Sequence, residues 1–126
     1  IGRQGGVLLL AQMSSRGNLL TSDYSDSVVR KGVESRGVLG FIGNGSRPQE
    51  LTKLRLKVGP EKMIWTPGVN LAIGDGELGQ RYGDPYQAIL SGSDCIIVGS
   101  GIHRAKSPME AAKEYAKISW KALQDR

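Results

Sequence analysis

The sequence predicts an α/β fold in which four strand–helix units build a parallel sheet. Three observations carry this reading. Short apolar runs at 7–11, 38–42, 63–66 and 95–98 alternate with segments of helical spacing. The runs are continuous rather than alternating, as expected of strands buried on both faces. Each run is followed by a polar or glycine-rich segment: Ser14-Ser15-Arg16-Gly17, Gly43 to Arg47, Thr66 to Tyr82, and Gly99 to Arg104. All four segments fall at the carboxyl ends of the strands, where parallel α/β folds bind their ligands. Four such units make either a small doubly wound sheet or half of an eightfold barrel, and spacing alone leaves both open. A length of 126 residues suits one domain, residues 1–126, with one core.

In chain order, Gly6 to Met13 reads as a buried strand between glycines and a polar turn. Thr21 or Ser22 caps the next helix, with Asp23 and Asp26 favourably placed in its positive first turn. Tyr24, Val28 and the Val33 region give that helix an apolar stripe ending near Gly37. Val38 to Ile42 is the second strand, and Gly43-Asn44-Gly45-Ser46-Arg47-Pro48 is a turn. A helix begins at Pro48 with Leu51, Leu54 and Val58 on its inner side, and Gly59-Pro60 breaks it. Met63 to Thr66 is the third strand.

The stretch from Trp65 to Tyr82 then reads as neither strand nor helix. Loops of this length in compact domains are usually functional or disordered. Its four glycines, at 68, 74, 76 and 79, allow close backbone approach to a ligand, and Gln80, Arg81 and Tyr82 can donate to an anion. A ligand-closing loop is the expectation, with a glycine-rich connector as the alternative. Asp84-Pro85 caps a short helix through Leu90, and Cys95 to Val98 is the fourth strand. Ser107-Pro108-Met109-Glu110 reads as a capping box. The helix behind it carries Met109, Ala112, Ala116, Ser119, Trp120 and Leu123 on one side.

Composition narrows the function classes. The apolar fraction of 39% and charged fraction of 23% belong to a globular chain rather than a disordered one. A formal charge of +5 invites nucleic-acid binding, but the cations are dispersed and the few aromatics form no stacking platform, so no nucleic-acid partner is expected. A small phosphorylated ligand is served by the same local positive charge. No apolar run approaches the roughly 20 residues that span a bilayer, so no membrane partner is expected. The lone Cys95 fits a reducing, cytoplasmic compartment and reads as a small packing residue. The chain opens on Ile1 without Met, as expected of a piece of a longer protein.

The catalytic inventory is thin. Gly99-Ser100-Gly101 begins like a dinucleotide fingerprint, but Arg104 occupies the third glycine position. A backbone cradle for one phosphate is the better reading. His103 is the single histidine and lacks a partner acid, and there is no His/Cys cluster for zinc. Ser14 and Ser15 have no base that the sequence places near them, and Asp75 and Glu77 lie where solvated charges are the default. Arg47 is either a phosphate ligand or a solvated turn residue. No cofactor is expected.

Several segments together resemble a known family. Ala11-Gln12-Met13-Ser14-Ser15-Arg16-Gly17-Asn18-Leu19, Gly40-Phe41-Ile42, Thr66-Pro67-Gly68-Val69, Leu78-Gly79-Gln80-Arg81-Tyr82 and the stretch from Ser93 to Ile102 resemble, in order, orotidine 5'-monophosphate decarboxylase as found in fungi and in UMP synthases. The resemblance runs through essentially the whole chain. It implies a (β/α)8 TIM barrel of which this chain is the second half, strands five to eight. The family is cofactor-free, usually homodimeric, and converts orotidine monophosphate to UMP and CO2. By resemblance, Ser14 and Pro67 contact the pyrimidine base, and Gln80 and Tyr82 hold the phosphate from the closing loop. Gly99 and Gly101 flank the position of a family arginine on the phosphate, which here is Ser100. A serine offers one neutral hydrogen bond where arginine offers a charged, bidentate one, a loss of about 2–3 kcal/mol in phosphate binding. Arg81 and Arg104 are the replacements at hand. The family's catalytic lysine, flanked by two aspartates, has no counterpart here. The chain is therefore expected to carry binding groups without catalytic residues, and to pair as a homodimer or with an amino-terminal half. The alternative is a non-catalytic phosphate-binding or assembly piece.

Overall fold

The structure, a computed structural model, describes residues 5–72, 74–75 and 81–126. The elements run β1 (Val7–Leu10), α1 (Ser22–Glu34), β2 (Val38–Ile42), α2 (Pro48–Val58), β3 (Met63–Thr66), β4 (Gly74–Asp75), β5 (Arg81–Tyr82), α3 (Pro85–Leu90), β6 (Cys95–Ile96), α4 (Ser100–His103) and α5 (Pro108–Asp125). Four strands form one sheet in the order β1-β2-β3-β6, every pair parallel. A doubly wound sheet reverses its strand order at a switch point. These strands follow one another without reversal, as barrel strands do.

The register explains which residues make the core. Leu9, Phe41 and Ile64 lie side by side across β1, β2 and β3, and Phe41 and Ile64 are fully buried. Val29 of α1, Leu51, Leu54 and Val58 of α2, and Ala88 of α3 join them in one cluster. The alternate row, Leu10, Ile42, Trp65 and Cys95, stays half-buried or exposed. The helices thus cover one face of the sheet and leave an apolar second face accessible.

The predicted α2 stripe of Leu51, Leu54 and Val58 is buried as expected. Gly59 ends this helix with φ at 76°, in the left-handed region. Thr21 is the cap of α1 and accepts from the Tyr24 N–H at 3.2 Å. Asp84 caps α3 by accepting from Tyr86 N–H at 3.0 Å, with Pro85 in the first turn.

Several expectations are corrected. The first strand is four residues, not eight, because Ala11 and Gln12 both donate to the one Ile42 carbonyl, at 3.1 Å each. β6 stops at Ile96, short of Val98. The stretch expected to be irregular contains an antiparallel pair, Gly74 opposite Tyr82 and Asp75 opposite Arg81. A one-turn helix, α4, stands where only a glycine turn was expected. Ser107 makes no side-chain cap bond, and Glu110 pairs with Lys113 at 2.9 Å instead, so the capping box does not form. The stripes predicted for α1 and α5 hold only in part: Val28 packs against the core as expected, but the most buried positions of both helices lie beside the predicted ones. In α1, Val29 and Gly32 are buried while Tyr24 and Val33 are exposed. In α5, Tyr115 and Ala122 are buried, whereas Met109 and Trp120 are 70% and 64% exposed.

Candidate functional site

The carboxyl ends of the strands are laced into a continuous rim. Past Leu10 the chain turns at Gln12, whose side-chain oxygen accepts from the Asn44 N–H at 2.9 Å and whose amide donates to the Glu50 carbonyl at 3.1 Å. Asn44 is buried. Its amide donates to the Met13 carbonyl at 3.0 Å, and its oxygen accepts from both the N–H and the hydroxyl of Ser46, at 2.9 and 2.6 Å. Every polar atom of this buried amide side chain is thus engaged with the loops after β1 and β2, which fixes both.

The lacing continues through Gly45, whose N–H donates to the Pro67 carbonyl at 3.0 Å. Beyond Pro67, Gly83 N–H donates to Gly68 O at 2.7 Å and Asn70 N–H donates to Gly83 O at 2.9 Å. The far end of the 67–83 excursion is thereby returned to its beginning. A side chain at Gly83 would place its Cβ 2.3 Å from the Gly45 carbonyl oxygen. That contact explains the glycine. At the last step, the Tyr82 hydroxyl lies 3.3 Å from Ser100 Oγ, joining the excursion to the turn after β6.

The expected site residues fall on this rim as follows. Tyr82 and Ser100 meet, with Gly99 and Gly101 on either side of Ser100. Pro67 is tied to the Ser14 loop through the Asn44 and Gly45 bonds. Ser14 is half-buried and lines a cleft of about 510 Å³ that also includes Ser15, Asn44 and Arg47 but not Pro67, Tyr82 or Ser100. This cleft reaches down between α1 and α2 to Val29, Leu54 and Lys57, on the helix side of the sheet. It is therefore a groove beside the rim, and the Tyr82–Ser100 contact lies elsewhere. Gln80 lies outside the described residues, as does Glu77.

Three further residues that the sequence singles out lie near the rim or on the sheet. His103 ends α4 and is exposed, and Arg47 is exposed in front of α2 without capping it. Cys95 is half-buried. Burial, and then the Asp94 carboxylate, push its thiol up, which suits a packing residue rather than a nucleophile. Among the described residues, no group of three or more His, Cys, Asp or Glu side chains is placed to hold a metal. No described helix is long and apolar enough to cross a membrane.

Sequence reasoning passes over two groups that shape the rim. Asn44 reads as part of a generic turn, although an amide side chain between two glycines at a strand end is a signal for such a bridge. Tyr115 lies inside the last helix, and nothing local marks its hydroxyl as reaching the 67–83 segment, which it meets at Leu71 N–H over 2.9 Å.

The family model described as "Orotidine 5'-phosphate decarboxylase / HUMPS family" matches residues 2–115, nearly the whole chain. The chain belongs to this family. The orotidine 5'-phosphate decarboxylase of Emericella nidulans is 36% identical over 124 residues, which is 98% of this chain and 45% of that protein. The uridine 5'-monophosphate synthase of Bos taurus is 43% identical over 121 residues, 94% of this chain and 23% of that protein. Among solved structures, orotidine 5'-phosphate decarboxylase from Pyrococcus horikoshii superposes with a TM-score of 0.73 at 28% identity, covering 92% of this chain and 51% of that one. The chain thus spans about half the length of the decarboxylases it matches, and a quarter of the synthase. Its fold is that of a (β/α)8 barrel family, represented here by four parallel β/α units.

Proposed function

We propose that residues 1–126 are a single unit, the carboxyl-terminal half-barrel of an orotidine 5'-monophosphate decarboxylase that converts orotidine monophosphate to UMP and CO2 in the cytoplasm. The observation that carries the reading is the Tyr82–Ser100 contact at 3.3 Å, in a chain of this family. It places the end of the long excursion against the turn after the last strand. A phosphate set against this pair would accept from the Tyr82 and Ser100 hydroxyls and from backbone N–H groups of Gly99 to Gly101. Gln80 joins that set by family resemblance. Ser14 and Pro67 serve the base. The lysine and aspartates that act on the carboxylate belong to the other half of the barrel, and the partner is that half or a second subunit in a homodimer.

Charge decides how well this half holds phosphate. Ser100 contributes a neutral donor, so Ser100→Arg adds a charge-assisted contact of about 2–3 kcal/mol. UMP affinity, measured by calorimetric titration, is expected to rise about 30- to 150-fold. Unchanged affinity would remove Ser100 from the phosphate site and the reading with it.

The accessible sheet face and the free edges of β1 and β6 support a second reading, a non-catalytic piece whose role is assembly. Free edges and a bare apolar face both favour pairing with another chain.

A further inference from the structure

One buried hydroxyl stands between the excursion, the turn after β6 and the last helix. Tyr115 of α5 is 3% exposed. Its hydroxyl accepts from Leu71 N–H at 2.9 Å and donates to the Asn70 side-chain oxygen at 3.2 Å. That Asn70 oxygen also accepts from Ala72 N–H at 3.0 Å. Three successive residues at the start of the excursion are thus held by one tyrosine and one asparagine. The same hydroxyl also lies close against Gly101, where an added Cβ would lie 2.3 Å from it. Asn70 is also where the excursion closes on itself, through the bond from Asn70 N–H to Gly83 O, one residue from Tyr82.

We propose that Tyr115 is a positioning residue: its hydroxyl sets the excursion's hinge at Asn70–Leu71 in register with the Gly99–Gly101 turn, and so sets the distance across which Tyr82 and Ser100 face a phosphate. The ligand part of this inference rests on the function proposed above. The argument is geometric. The Asn70–Leu71 segment and the Gly101 turn both lie against the same oxygen, so a shift of either bears on it. An aromatic ring anchored in the α5 packing moves little, and groups already held in place lose less entropy when a ligand binds. Phenylalanine at 115 keeps the ring, leaves Leu71 N–H without its acceptor and leaves the Asn70 oxygen with the Ala72 N–H alone.

The test uses the whole chain, with Tyr115→Phe and, independently, Gly101→Ala, whose Cβ would crowd the hydroxyl. Hydrogen exchange at the Leu71 amide, without ligand, is expected to accelerate at least tenfold in both variants, with Tm changed by no more than a few degrees. UMP affinity is expected to fall about five- to tenfold in Tyr115→Phe. Unchanged exchange at Leu71 overturns the proposal. Faster exchange with unchanged UMP affinity also overturns it, since Tyr115 is then a packing residue alone. Should the parent chain bind no UMP, the proposed function fails, and the exchange rates still decide whether the hydroxyl sets the hinge.

Discussion

At the scale of single residues, the end of the sheet opposite the rim depends on Asp94. Its carboxylate pairs with Arg55, accepts from Ile64 N–H at 2.9 Å, and meets Arg126 at 3.1 Å. Arg55 in turn donates to the carbonyls of Gly59, Lys62 and Gly92, at 2.7 to 3.0 Å. One guanidinium therefore joins α2, the start of β3 and the approach to β6. Burial pushes the Asp94 carboxyl up, but the Ile64 N–H and the two arginines together outweigh it and hold the group below its ordinary value. A carboxyl lowered by folding adds stability above its unfolded value, about 3.9, and that contribution is lost as pH falls through the lower, folded value. Asp94→Asn is expected to cost about 2 kcal/mol at pH 7, between an exposed and a fully buried pair. In urea melts the gap between parent and variant should narrow as pH drops below about 4. A gap independent of pH would contradict this account. No local pattern in the sequence announces the network, since Arg55, Asp94 and Arg126 lie more than thirty positions apart.

At the scale of elements, the helices show what periodicity can and cannot decide. α2 was legible because Leu51, Leu54 and Val58 form its one inward row. In α1 the pattern shows Val28, which packs on the core, but not Gly32, which has no side chain to register in an apolar row. Gly32 is buried because Phe41 and Leu9 occupy the space beside its Cα. This packing reverses the usual helix rule, by which Gly→Ala gains about 0.5–1 kcal/mol. A Cβ at 32 would stand 2.6 Å from the Phe41 ring and 2.9 Å from Leu9 Cδ1, and overpacking of this kind costs about 1–3 kcal/mol. Gly32→Ala should therefore lower Tm by several degrees, and a rise would show that the core relaxes around the methyl. α5 poses a different problem. It carries two apolar rows, one through Tyr115 and Ala122 that packs on this chain and one through Met109 and Trp120 that does not. Spacing marks both as faces and does not say which meets this core. The β4–β5 pair was hidden because two-residue strands among glycines leave no alternation to read.

At the scale of the whole molecule, the order of units and the rim were legible, since apolar runs and the polar segments behind them alternate four times. The choice between an open sheet and a barrel needed the strand order, which is sequential and without reversal. The roles proposed for Ser14, Pro67, Tyr82 and Ser100 rest on resemblance. The Tyr82–Ser100 pairing needed the fold, because the two lie on different strand ends. A parallel sheet is ordinarily covered on both faces, and here the Leu10, Ile42, Trp65 and Cys95 row remains accessible, with β1 and β6 as edges. That incompleteness agrees with a chain covering 45% of one decarboxylase and 51% of another. The most direct measurement is decarboxylation of orotidine monophosphate by this chain alone and after co-expression with an amino-terminal half-barrel carrying the lysine and its flanking aspartates. The chain alone should show no turnover, and the pair should show turnover that requires both halves. Turnover by the chain alone, or a stable complex of both halves with none, would contradict the account.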